Sequence, residues 1–285
     1  MKKILVTGAN GQLGMEFREL SKVITNAEFI FVSRAEFPID DQATVSTFFS
    51  KHKIDYCINC AAYTAVDKAE SEIDQAFSIN ANAVAHLAKC CAENNAVFIH
   101  ISTDYVFDGK NNEGYFETDT TGPLNVYGKS KLAGELAALE ANPQSIIIRT
   151  SWVYSSFGNN FVKTMIRLMK ERESINVVND QIGKPTYAAD LAAVIVRIIF
   201  LENGIAPGIY HFANDGIISW HEFACEIKKI GGFSCVVNPI PSSAYPVPAK
   251  RPDFSILNTD KITTALDLAI PKWDDSLRQC MSLLL

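Results

Sequence analysis

Short, continuously apolar runs alternate with segments of helical periodicity through the first 150 residues. Lys2–Thr7, with Ile4-Leu5-Val6 at its centre, then 28–33, 54–61, 96–102 and 145–150 are runs of strand length. Those at 54–61 and 96–102 lack polar alternation, as expected of strands buried on both faces. Between them lie helical patterns after Gly14, over 41–51, over 72–94 and in the segment carrying Tyr127 and Lys131. The alternation recurs about five times, which means a parallel sheet covered on both faces, a Rossmann-type doubly wound α/β fold.

After residue 150 the pattern changes. A helix is expected from Asn160-Phe161 to about Arg172, a strand over 175–178, a polar loop over 180–186, an apolar helix over 188–201 and a short strand over 208–212. Ser219-Trp220-His221-Glu222 reads as a capping box opening a helix. The proline-rich run 239–252 reads as a surface loop rather than an element. The expected organisation is a dinucleotide-binding domain over 1–150. Residues 151–285 form a smaller substrate-binding α/β domain that returns some elements to the first sheet.

Composition narrows the function. At 285 residues and 48% hydrophobic the chain can bury a substantial core, and a net charge of −6 argues against a nucleic-acid surface. The N-terminal apolar run stops at Thr7-Gly8, too short for a signal h-region, and no stretch nears the roughly 20 apolar residues of a membrane span. A cytoplasmic protein with no membrane partner is expected. Cys57 and Cys60 form a C-x-x-C inside a strand, where i and i+3 point to opposite faces, and His221-Glu222 lacks a second histidine. No catalytic metal is expected.

The candidate chemistry lies at the ends of the strands. Gly8-Ala9-Asn10-Gly11-Gln12-Leu13-Gly14 is a G-x-x-G-x-x-G run between a strand and a helix. Such glycines let the backbone approach a pyrophosphate held at a helix N-terminus. Where an acidic residue would meet the ribose 2′-hydroxyl of NAD stands Ser33, with Arg34 beside it, which leans toward NADPH with NADH also open. Ala61, Ala62 and Tyr63 follow the third strand, where small residues let a cofactor lie close; Asp40 and Asp41 complete the candidate cofactor set. Thr103 ends the fourth strand, where doubly wound sheets bind ligands. Tyr127 and Lys131 are four residues apart, hence on one helix face. A nearby ammonium favours phenolate and lowers a phenol's pKa from about 10 toward the working range. The pair therefore suits proton transfer to or from a carbonyl or hydroxyl oxygen.

Gly8–Gly14, Thr103, Tyr127 and Lys131 together resemble the extended short-chain dehydrogenase/reductase family. Within it, the blocks 59–71, 102–109, 124–134, 149–154 and 179–186 and Arg251-Pro252 are similar to the dTDP-4-dehydrorhamnose reductases, across nearly the whole chain. The resemblance implies hydride transfer from NADPH to C4 of dTDP-4-dehydro-L-rhamnose, with a proton going to O4. It implies that Tyr127 donates that proton, Lys131 holds the nicotinamide ribose and Thr103 bonds the sugar oxygen. Trp152, Asp104 and Tyr105 would line the sugar site, and Gln181 and Arg251 would meet the nucleotide diphosphate. Some relatives bind magnesium at a dimer contact. Glu16 and Asp190 fall near that pattern, but Met15 and Ala189 add no ligand, so Mg2+ is not expected and monomer and homodimer both stay open. Two rivals stand beside this reading. One is a nucleotide-sugar dehydratase or epimerase on the same fold; in the similar dehydratases an Asp–Glu pair follows the threonine, where this chain has Asp104-Tyr105. A non-catalytic subunit resembling the regulatory subunit of methionine adenosyltransferase would not need Thr103, Tyr127 and Lys131 together.

Overall fold

The computed structural model describes residues 1–285. The first half alternates as the apolar pattern predicts. It runs β1 (Lys2–Thr7), α1 (Gln12–Ser21), β2 (Ala27–Val32), α2 (Gln42–Lys51) and β3 (Tyr56–Asn59), then the short α3 (Val66–Ala69) and α4 (Ile73–Phe77). α5 (Ala83–Glu93), β4 (Val97–Thr103), α6 (Val126–Ala141) and β5 (Ile146–Thr150) complete it. The second half holds β6 (Val153–Tyr154), α7 (Phe161–Glu171), β7 (Ser174–Val178), β8 (Ile182–Gly183), β9 (Thr186–Tyr187) and α8 (Ala188–Phe200). β10 (Gly208–His211), β11 (Ile218–Ser219), α9 (Trp220–Gly231), β12 (Val236–Ile240), β13 (Phe254–Ser255), α10 (Asp260–Leu266) and α11 (Trp273–Ser282) follow.

Six strands form one sheet in the order β10-β5-β4-β3-β1-β2, every pair parallel. The order reverses between β1 and β3, the switch point at which such sheets bind ligands. Alternate residues feed opposite faces. Ile4, Val6, Ile58, Ile99, Ile146 and Ile148 pack with α1 and α8. Leu5, Cys57, Phe98 and Ile147 pack with α2, α5 and Ala138 of α6. A separate apolar cluster joins α7, α9 and α11 in the second half.

The second half contributes to the first: β10 adds the last strand beside β5, and α8 covers one face next to α1. Three local readings change. The periodic segment 72–94 is helical but carries a π turn at Ser78–Asn82. The Asn80 side chain there accepts from Tyr63 N–H (2.8 Å) and donates to Tyr63 C=O (3.0 Å) and Ser130 Oγ (3.0 Å). The polar segment 180–186 holds β8 and the start of β9, paired with β11, β13 and β6 rather than left as loop. Pro239 lies inside β12, which pairs only with β7, so a missing N–H on the outer edge costs no ladder bond.

α6 is held between the π turn at Ser78–Asn82 and the sheet. A Cβ on Gly134 would sit 2.0 Å from the Asn80 carbonyl, so only glycine lets the helix seat there. One turn of sheet-facing surface carries Glu135, whose carboxylate takes Arg149 of β5 in a bidentate bond (2.9 and 2.7 Å), both side chains about 2% exposed or less. Removing one member of such a pair leaves a buried charge unmatched, at about 3–5 kcal/mol. Arg149→Met should therefore lower urea-unfolding stability by that amount. A loss below about 1 kcal/mol would show that the pair does not anchor α6.

Candidate active site

Asn125 starts α6: its side-chain oxygen accepts from Gly128 N–H (2.8 Å) while its amide donates to the Lys250 carbonyl (2.7 Å). That cap sets where the first turn points. Tyr127 then stands on the wall of a cleft of about 720 Å³ at the carboxyl ends of β1, β3 and β4, and Lys131 lies one turn deeper. The Tyr105 ring meets Tyr127 edge-on at 5.5 Å. Lys131 is 2% exposed; its ammonium donates to the Ile101 carbonyl (2.6 Å) and lies 3.2 Å from His100 Nε2. Burial lowers the Lys131 pKa to about 8, partly opposed by Glu135.

The expected lowering of the Tyr127 pKa is not what the protein alone produces. Burial raises it above the ordinary phenol value, the Thr103 hydroxyl opposes that, and Asp104 adds to it. Lys131 donates to Ile101 and His100 rather than to the phenol, and burial decides the direction of the shift. At neutral pH Tyr127 is a protonated acid.

The cofactor side of the cleft fits a dinucleotide. Gly8 adopts φ +63°, and a Cβ there would lie 2.7 Å from the Ala61 nitrogen across the switch point. Gly11 precedes α1 without any side-chain cap, leaving the first N–H groups of the helix free toward the cleft. Asn10, Gln12 and Leu13 line the same end, with Ala61 and Ala62 opposite and Ser33, Arg34 and Asp40 at the far rim. Ser33 is not free, because both its hydroxyl (2.8 Å) and its N–H (3.2 Å) donate to Glu36. A carboxylate thus stands close to the ribose position after all, three residues later than the pattern places it.

On the substrate side, Thr103 caps the short 3₁₀ turn Asp104–Val106 by accepting from Tyr105 N–H (3.2 Å). Its hydroxyl proton goes to Asp104 Oδ1 (2.8 Å), so Thr103 must swing away before it can donate to a ligand oxygen. Ser102 Oγ and Asp104 Oδ2, both on the cleft wall, are buried with no partner. Such atoms call for a partner, a bound water or a neighbouring hydroxyl such as that of Ser255 for Asp104. Burial pushes the Asp104 carboxyl up to about 6. Trp152, at a strained φ of +48°, stacks on Trp220 at 3.6 Å and packs against Gly183, which a Cβ would bring within 2.8 Å of the indole.

Several expected site residues lie off the cleft wall. Gly14 sits inside α1, where a Cβ would strike the Gly8 carbonyl at 2.5 Å, so it serves helix–strand packing. Asp41 caps α2, accepting from Ala43 and Thr44 N–H. The Tyr63 hydroxyl donates to Glu72 (2.6 Å), and Gln181 makes no side-chain hydrogen bond. Arg251 is paired with Asp67 of α3 at 2.9 and 3.1 Å, and must release it to reach a phosphate. Glu16 accepts from Ser155 Oγ (2.6 Å), and Asp190 accepts from Asn214 (2.6 Å) and Ser276 (2.5 Å). Residues the sequence did not single out include Gly158 and Asn159 on the wall and His100 behind it. For His100 the signal was there: one polar side chain inside the apolar run Val97–Ile101.

Because Asp104 holds its proton more tightly folded than unfolded, the protein should lose stability as pH rises from about 4 to about 6. Asp104→Asn removes that penalty. At pH 7 the variant should unfold at higher urea than the parent, by roughly 3 kcal/mol at about 1.4 kcal/mol per pKa unit. An unchanged pH dependence of stability would contradict the assignment.

The family model described as RmlD substrate binding domain matches residues 1–285. A curated dTDP-4-dehydrorhamnose reductase from Aggregatibacter actinomycetemcomitans is 41% identical over 98% of each chain. The crystal structure of a dTDP-4-dehydrorhamnose reductase from Clostridium acetobutylicum matches with a TM-score of 0.94 at 42% identity over 99% of each chain. That of Bacillus anthracis, in complex with NADP, matches at 0.93 and 39% identity, again over 99% of each.

Proposed function

The chain belongs to the RmlD substrate binding domain family, that of the dTDP-4-dehydrorhamnose reductases, and on that premise we propose that it reduces the C4 keto group of dTDP-4-dehydro-L-rhamnose to give dTDP-L-rhamnose. One observation carries the reading: a protonated phenol, Tyr127, shares a single cleft with the Gly8–Gly11 cradle. Bound NADPH supplies the hydride that goes to C4. The free N–H groups at the start of α1 and the bare backbone of Gly8 would hold the pyrophosphate. Arg34 and Ser33, on the rim of the cleft, would face the adenosine ribose.

Tyr127 gives its proton to O4 as charge develops there. Its raised pKa suits a donor, since the acid must stay protonated until the substrate oxygen becomes basic. Lys131 lies one turn away with its ammonium buried, and favours the phenolate left behind. Thr103, once it releases Asp104, bonds the same oxygen. Trp152, fixed by Trp220, forms an apolar wall for the sugar ring. Residues 1–150 hold the dinucleotide and 151–285 mainly meet the nucleotide sugar, with Arg251 turning from Asp67 to the diphosphate. The Asp104-Tyr105 pair, with no Glu after Thr103, disfavours a dehydratase.

Purified protein should oxidise NADPH only when the 4-keto sugar nucleotide is present, read at the nicotinamide absorbance. Tyr127→Phe should still bind NADPH while kcat falls by about 10²–10⁴, the usual loss of a general acid; unchanged turnover would rule out the role. Arg34→Ala should raise KM for NADPH while leaving KM for NADH in place. An equal change for both cofactors would show that Arg34 does not read the 2′-phosphate.

A further inference from the structure

The buried polar groups behind Lys131 form a continuous row that the chemistry above does not use. Thr7, Asn59 and His100 are register partners across β1, β3 and β4, on the sheet face that α6 covers. All three are fully buried, and none but Lys131 reaches the cleft wall. Lys131 Nζ lies 3.2 Å from His100 Nε2; Asn59 Nδ2 lies 3.0 Å from His100 Nδ1; and Thr7 Oγ1 donates to Asn59 Oδ1 at 2.6 Å. Thr7 Oγ1 in turn accepts from Ala61 N–H (3.3 Å), beside the backbone that Gly8 touches.

Proton counting restricts this row. An ammonium only donates, so a charged Lys131 needs His100 Nε2 as acceptor. A neutral imidazole then carries its proton on Nδ1 and donates to the Asn59 oxygen, which requires the Asn59 amide turned end for end from that placement, its NH2 then donating to Thr7 Oγ1; the oxygen and nitrogen of such an amide are assigned from the network. Burial and the Lys131 charge both keep His100 neutral, well below its ordinary pKa. The opposite tautomer would aim an N–H at the lysine and fit only an uncharged amine.

We propose that His100 is a positioning residue for Lys131, fixing where its nitrogen points and keeping it an ammonium, and that Asn59 and Thr7 tie this setting to the cofactor loop. The inference deepens the reductase reading and rests on it for the role of Lys131. The charged or titratable groups facing Lys131 are His100 from β4, and Glu135 and Tyr127 from its own helix; Glu135 is itself held by Arg149 of β5. Facing His100 are Lys131 and the neutral Asn59.

Two variants separate positioning from simple packing. In His100→Gln the longer amide reaches the Nε2 place and keeps an acceptor for Lys131. In His100→Asn the shorter one reaches only toward Asn59. The Asn variant should lose ammonium stabilisation, moving the basic limb of kcat/KM down by about one pH unit, or about tenfold in rate on that limb. KM for the sugar nucleotide should hold, and the Gln variant should return toward the parent. A folded Asn variant with the parental pH profile overturns the proposal while leaving the reductase reading intact. No turnover by the parent itself would sink that reading instead. Nitrogen-15 histidine NMR of the parent then decides the contact without activity and without a destabilising His100 variant. At a pH below the Lys131 value of about 8, His100 should be neutral with the proton on Nδ1, and Lys131→Met should move its Nε2 resonance. An Nε2–H tautomer, or a resonance indifferent to Lys131→Met, overturns the proposal.

Discussion

An ammonium buried at the carboxyl end of a parallel sheet is the constraint around which this molecule is arranged. Desolvating Lys131 costs several kcal/mol unless its hydrogens are matched. The match comes from the Ile101 carbonyl and His100 on β4, and is available only if α6 lies flat on the strand. Gly134 lets α6 seat against the π turn at Ser78–Asn82, and the Arg149–Glu135 pair ties it to β5. The helix that carries the acid is thus fixed by groups that never touch a ligand.

From that seat the electrostatics of the cleft follow. The same low-dielectric surroundings that pull the Lys131 pKa down push those of Tyr127 and Asp104 up. In the reductive direction this ordering is useful. The phenol remains a donor until the carbonyl oxygen gains charge, and the cation then favours the phenolate. A tyrosine lowered to neutrality beforehand, as the i, i+4 spacing alone implies, would arrive already spent. Thr103 and Arg251 are each held by an acidic neighbour, Asp104 and Asp67, so the roles proposed for them require both to exchange partners when a nucleotide sugar enters.

Much of this was legible in the sequence, because its strongest signals are local. Buried parallel strands have to be short apolar runs, and β1 to β5 fell where such runs lie, within about two residues at their ends. The Tyr127–Lys131 spacing and the Ser219–Glu222 capping box each express a rule spanning about one helical turn, and the Gly8–Gly14 spacing one strand-to-helix connection; the structure holds each there. What was not legible depends on partners far along the chain. Arg251 is answered by Asp67 and Lys131 by His100. Trp152 is clamped by Trp220, and the start of α6 is tied to Lys250. Short strands such as β8 and β9 escaped for the same reason: two residues carry no periodicity, and only their neighbours make them strands. Glu36 shows the limit from another side, since a pattern that reads one position at Ser33 cannot see a carboxylate folding back onto it.

The central claim is that this cleft delivers a hydride to C4 and the Tyr127 proton to O4 of one nucleotide sugar. The most direct measurement is a single turnover of dTDP-4-dehydro-L-rhamnose with NADPH carrying deuterium at the transferring position of the nicotinamide, with the product read by NMR. The account predicts dTDP-L-rhamnose with deuterium at C4 and none elsewhere on the sugar. Deuterium at any other carbon, or a product of a different C4 configuration, would contradict it.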